Sequence, residues 1–245
     1  MKYILLSLFF PAFSQAKMTP LYFVTYEAPP HIGENLPENG AAICALRKVF
    51  TKINYDLRLT FAPLKRAKNL AATKEEYTGY FPSSPYDVDP RFEASEALLQ
   101  SPWVIAERKD KPIVWNKISD LAKYRGGTVT QYTPPTEIEN LIKTGSMIVE
   151  GAPDDIMNMQ KLVSKRIDYA FIDSTMFDYL VTKDERFIPY AKNLRANPKT
   201  VELVPYYMAF KKSAAAKKVL REFNQHFDQE KFVVVYKECL KKYMK

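Results

Sequence analysis

Glycine is scarce, with seven residues in 245, where an average protein carries about 7%. No G-x-G-x-x-G fingerprint and no Walker A loop is present, which excludes the nucleotide sites built on them. Nor is there a Gly/Ser-rich linker. Histidine is scarcer still: His31 and His226 are the only two. No His/Cys cluster has zinc-ligand spacing, so no metal is expected. A Ser-His-Asp triad would have to use His31, in a loop beside Pro29 and Pro30, and no nucleophile motif accompanies it. His226 lies beside a helical stripe and reads as structural. No pair of carboxylates stands out, so an enzyme is the minority reading and no cofactor is expected. Cysteine also numbers two, Cys44 and Cys239. Both fall in helical patterns and are expected to pack as small apolar groups. A bond between them is the less favoured alternative, although an oxidising compartment would permit it.

Long apolar runs are absent beyond the start. "MKYILLSLFFPAFSQA" has one positive charge at Lys2, an apolar run from Tyr3 to Phe13 and a small-x-small ending at Ser14-Gln15-Ala16. That is the pattern of a secretory signal peptide cleaved after Ala16, and the run is short of the ~20 residues that span a bilayer. The expected location is the periplasm. The net charge of +8 is spread among helical positions, with Lys211, Lys212, Lys217, Lys218, Lys241, Lys242 and Lys245 interleaved with apolar residues. A nucleic-acid face would need a concentrated basic stripe with aromatic platforms, so no nucleic-acid partner is expected.

What is present is an alternation of two periodicities. "LYFVTY" (21–26) reads as a strand. Ile43, Leu46, Phe50 and Ile53 share one helix face. Leu57, Leu59 and Phe61 alternate as a second strand, a helix follows from Leu64 to Ala72, and "YTGYF" (77–81) is a third strand. The middle of the chain repeats the pattern. Ile118 and Leu121 lie in a short helix, 127–132 is a strand, and 136–144 is a helix opened by Pro134-Pro135. "MIVE" (147–150) is a strand. Ile156, Met159 and Val163 form a helical stripe, with Asp154 and Asp155 in its first turn, where acidic groups suit the helix dipole. "DYAFI" (168–172) is a buried strand ending at Asp173. "ELVPYYMAF" (202–210) leads to helices carrying Val219, Phe223 and Phe227, then residues 230–243. The expected fold class is α/β, in two units, each a sheet flanked by helices, joined by two extended hinge crossings near 100–108 and 200–210. The expected division is 17–104 with 205–245 as the first lobe and 105–204 as the second.

Four segments, "YEAPPHI", "APLKRAKNLA", "GYFPSSPYDVDPRFEASEALLQSPWVI" and "LVSKRIDYAFIDS", occur in an order and spacing that resemble family 3 solute-binding proteins, the periplasmic receptors of amino-acid ABC importers. The resemblance implies a two-lobe periplasmic-binding-protein-like fold and a ligand held between the lobes, where open α/β sheets place ligands. It implies that Arg91 grips the ligand's carboxylate, as a guanidinium fork can, with Arg66 as a rival. Asp173 would accept the ligand's ammonium, cap the following helix, or do both. Tyr26 takes the place of an aromatic wall. Ser83 and Ser84 follow the third strand, and Tyr132 and Thr133 lie at a strand-to-helix turn suited to an anion. The sequence departs from the family pattern at "DVDPR", where Asp87 and Asp89 put negative charge near the carboxylate site, and at Lys165, which replaces a common glycine. The resemblance thus implies a monomer that binds an amino acid or similar zwitterion and delivers it to a membrane ABC permease. The alternatives are a stand-alone sensor or scavenger, or a dehydratase-like enzyme that would need a cleft carboxylate with a raised pKa.

Overall fold

A computed structural model of the chain describes residues 17–87 and 89–244. The expected signal peptide lies outside the described residues. The elements run β1 (Thr19–Thr25), α1 (Ala41–Lys52), β2 (Tyr55–Phe61), α2 (Leu64–Thr73), β3 (Tyr77–Ser83), β4 (Phe92–Ala94) and β5 (Leu99–Arg108). They continue β6 (Gly126–Val129), α3 (Thr136–Lys143), β7 (Val149–Ala152), α4 (Asp155–Val163), β8 (Tyr169–Asp173), α5 (Ser174–Lys183), β9 (Leu194–Ala196) and β10 (Glu202–Lys211). Helices α6 (Ala214–His226) and α7 (Gln229–Met244) close the described chain.

The strand order is β2-β1-β3-β10-β5-β8-β6-β7. β1 runs parallel to β2 and β3, and β6 runs parallel to β7 and β8. Strand β10 belongs to both sheets. Its Tyr207–Lys211 end pairs antiparallel with β3 and β4, while Glu202–Tyr206 pairs with Leu99–Trp103 of β5. β5 then continues antiparallel to β8. The two crossings between the sheets therefore run side by side as an antiparallel ribbon.

Helix α1 shows why the first lobe holds together. Ala41 to Leu46 and Phe50 are buried, with Phe50 tilted against Phe23 of β1 and Phe223 of α6. Small residues at 41, 42 and 45 let the helix lie close on the sheet, and Ile43 and Leu46 fill the layer between. Against the expectation for the cysteines, Cys44 of α1 is bonded to Cys239 of α7 across 195 residues. Packing and bonding are compatible here, because α1 lies on α7 with both cysteines in the core. The second lobe has its own core of Trp103, Ile105, Ile138, Met147, Tyr169 and Phe171.

Several sequence expectations shift. Strands β4 and β9, of three residues each, carry too short a period to be read from the sequence. The strand expected over 147–150 forms at Val149–Ala152, because Met147 turns into the core while Ile148 faces solvent. The strand expected over 127–132 stops at Val129, and Tyr132 leaves the sheet. On α4 the buried face is Asp155, Asn158, Met159 and Leu162; of the expected stripe Met159 is fully buried, and Ile156 and Val163 pack half-buried at its edges.

Candidate functional site: a cavity at six strand ends

Each parallel strand delivers residues to one cavity at its carboxyl end. Tyr26 follows β1, Leu64 opens the helix after β2, and Phe81, Pro82, Ser83, Ser84, Tyr86 and Asp87 come from β3 and its loop. Gln131, Tyr132 and Thr133 follow β6, Asp155 follows β7, and Asp173 ends β8. The crossings supply Leu99, Trp103, Val204 and Tyr206. The cavity holds about 920 Å³ of empty space, counting the part open to solvent. At its mouth the backbone N–H of Lys65, in the first lobe, donates to Gln131 Oε1 in the second at 2.7 Å.

Asp173 is held from several sides. Its Oδ1 accepts the Met176 N–H at 3.0 Å, which caps α5, and lies 3.0 Å from His31 Nε2. Its Oδ2 accepts from Ser101 Oγ. Burial pushes the carboxyl's pKa up, but the facing His31, Ser101 and the Met176 amide outweigh it and hold the group below the ordinary carboxylate range. His31 Nδ1 in turn lies 2.7 Å from the Tyr236 hydroxyl. With a proton on Nε2 the imidazole donates to Asp173, while its Nδ1 meets the Tyr236 hydroxyl. The chain Ser101–Asp173–His31–Tyr236 thus ties β5 and β8 to the loop after β1 and to α7, across the lobes.

Asp155 is built differently. It is the first residue of α4, 7% exposed, and its Oδ2 accepts from the Tyr132 hydroxyl at 2.8 Å. Burial lifts its pKa to about 7, aided by the negative charges of Asp173 and Asp154 and opposed by the Tyr132 hydrogen bond. Tyrosines crowd it. The Tyr132 hydroxyl is pushed well up by burial and by Asp155, and that of Tyr26 by burial together with Tyr206 and Asp87. Tyr206 is raised by burial and by Asp173, and its hydroxyl accepts from Trp103 Nε1 at 3.2 Å. The Trp103 and Tyr132 rings lie 6.1 Å apart.

Of the residues singled out in the sequence, Tyr26, Ser83, Ser84, Tyr132, Thr133 and Asp173 line this cavity. Arg91 and Arg66 do not. Arg91, 51% exposed, turns back on Asp89, with Nη2–Oδ2 at 2.6 Å and Nε–Oδ1 at 3.0 Å. The "DPR" turn supplies the guanidinium with a carboxylate two residues away, and Phe92 takes the inward position next to it. Arg66 is on the exposed face of α2. Among the described residues, no lysine or arginine lines the cavity, and no group of His, Cys, Asp and Glu could hold a metal. The sequence reading missed Asp155, His31, Trp103 and Tyr206. For Asp155 a signal existed: it stands at i, i+4 and i+7 with Met159 and Leu162, which places a carboxylate on the buried face of its helix.

No protein-family model and no curated protein matches the chain. Solved structures do. An ancestral arginine-binding protein bound to arginine superposes with a TM-score of 0.72 at 17% identity, covering 93% of this chain and 99% of that one. The GluR0 ligand-binding core from Nostoc punctiforme, in complex with L-glutamate, gives 0.70 at 16% identity, covering 91% and 99%. The amino acid ABC transporter substrate-binding protein AbpA from Streptococcus pneumoniae, bound to L-arginine, gives 0.70 at 13% identity, covering 92% and 94%. The chain has the two-lobe fold of these amino-acid-binding cores.

Proposed function

We propose that this protein captures a small solute between its lobes and passes it to a membrane permease, acting in the periplasm as a monomer and doing no chemistry on its cargo. One observation carries the reading: all six parallel strands, in two groups joined through the antiparallel β5/β10 ribbon, aim their carboxyl ends at one cavity. A bend in that ribbon opens or shuts the cavity, which is hinge closure. The likeness to amino-acid-binding cores supports it. So does the Cys44–Cys239 bond, which suits an oxidising compartment. Among the described residues, no helix is long and apolar enough to cross a membrane.

A second reading has one observation in its favour. Asp155, poised near neutrality, has the pKa of a general acid or base. An elimination from an anionic substrate, of the dehydratase kind, would also need a cationic anchor for that substrate, and among the described residues no lysine or arginine lines the cavity. Binding is therefore preferred.

The test is a thermal-shift panel on residues 17–245, unfolded and refolded to strip carried ligand, against amino acids, amines, polyamines and organic acids. A ligand at about 100 times its Kd adds roughly 2.7 kcal/mol of stability, so a clear rise in Tm with at least one class is expected. A flat response to every class would overturn the reading.

A further inference from the structure

We infer that the cargo is an organic cation, with its ammonium or amidinium group between the Asp155 carboxylate and the rings of Tyr26, Tyr132 and Trp103. It would not be an amino acid held by its α-carboxylate. The inference rests on the solute-binding reading and narrows it to a ligand class.

Charge accounting within the cavity comes first. Three aspartates line it. Asp87 is paired with Lys68. Asp173 is paired with His31 and hydrogen-bonded by Ser101 and the Met176 amide. Asp155 has a tyrosine hydroxyl and, among the described residues, no cationic partner. A buried carboxylate without a positive partner is costly, and an arriving cation removes that cost. The near-neutral pKa of Asp155 is the same imbalance seen through its proton.

The walls fit the same ligand. Aromatic faces attract cations within about 6 Å of their centroids, and more strongly where water is excluded. Tyr132 bonds Asp155, Trp103 lies against Tyr132 and donates to Tyr206, and Tyr26 lines the same cavity; Leu64, Phe81, Leu99 and Val204 add apolar wall. This suits a carbon skeleton and not a hydrated metal ion. A ligand carboxylate finds no guanidinium or ammonium here, only hydroxyls and amides such as those of Ser83, Ser84 and Thr133. Two acidic side chains repel it.

The experiment is isothermal titration of the refolded protein at pH 8 with matched pairs that differ by one carboxylate: phenethylamine and L-phenylalanine, tyramine and L-tyrosine, agmatine and L-arginine. Choline, L-glutamate and succinate complete the set. At least one amine should bind tenfold or more tighter than its parent amino acid. Asp155→Asn should weaken that amine at least tenfold. Tyr26→Leu, which leaves every charge in place, should weaken it several-fold and keeps the test open should the first variant not fold. If an amino acid or an organic acid binds as tightly as the best amine, the ligand class is overturned and solute binding stands. If the amine binds best but neither variant weakens it, the placement at Asp155 is overturned. If nothing in the set or in the wider panel binds, both readings fall.

Discussion

Two aspartates in this cavity show how neighbours decide what a side chain can do. Asp173 and Asp155 are both buried and both close a strand-to-helix junction. Asp173 meets an imidazole, a hydroxyl and an amide, so its charge is stabilised and its pKa falls. Asp155 is buried near other carboxylates, with the Tyr132 hydrogen bond too weak to offset them, so its pKa rises to about 7. The second case has a measurable consequence. With the folded pKa above the unfolded value of about 3.9, the folded protein keeps a proton that the unfolded chain has released between those values. Stability due to this residue therefore falls as pH rises through that window, then levels off above about pH 7. Asp155→Asn should make the empty protein more stable at pH 8, by about 2–4 kcal/mol. The advantage should shrink steadily as pH is lowered towards 4, read as the difference between urea midpoints of the two proteins. A carboxylate that weakens the empty fold is the mark of a group kept for its ligand.

At the scale of elements, β3 and β10 approach so closely at Gly79 that the pairing leaves no room for a side chain. Gly79 faces Phe210 in the antiparallel register, and a Cβ there would come within 1.9 Å of the Ala209 carbonyl oxygen. No side chain fits without parting the two strands. Gly79→Ala should cost about 2–3 kcal/mol, seen in chemical denaturation. Because β10 carries Tyr206 into the cavity four residues before Phe210, ligand affinity should fall with it. Helix α4 shows the reverse case, an element whose existence was plain and whose phase was not. Its apolar stripe of Ile156, Met159 and Val163 marks the helix, and the sheet beneath turns Met159 and Leu162 fully inward while Ile156 and Val163 stay half-buried.

Over the whole molecule, the two ends of the described chain meet where β10 pairs with β3, and β5 to β9 lie between them in sequence. The Cys44–Cys239 bond clamps those ends through α1 and α7. Closing so long a loop removes much of the freedom of the unfolded chain, with a chain-entropy limit of about 5 kcal/mol for this separation. Reduction under native conditions should lower stability by about 2–5 kcal/mol, measured as the urea midpoint with and without reductant. The Asp173–His31–Tyr236 contact adds a second tie, this one across the lobes, and it lies at the cavity wall where closure is felt.

The sequence by itself determined the alternation of strand and helix, the α/β class, the inward stripe of Ile43, Leu46 and Phe50, and the placing of Tyr26, Ser83, Tyr132 and Asp173 at or near the carboxyl ends of strands. These are local properties: periodicity follows from backbone geometry over a few residues, and strand ends are marked by where that periodicity breaks. Tertiary structure alone decided the rest. It turned Arg91 onto Asp89 and away from the cavity, brought Cys44 and Cys239 together across 195 residues, and set His31 against Asp173. It also left Asp155 without a positive partner among the described residues. The physical reason is range. A side chain's charge balance depends on every group within a few ångströms, and in a fold whose sheets share a strand those groups come from residues far apart in the chain.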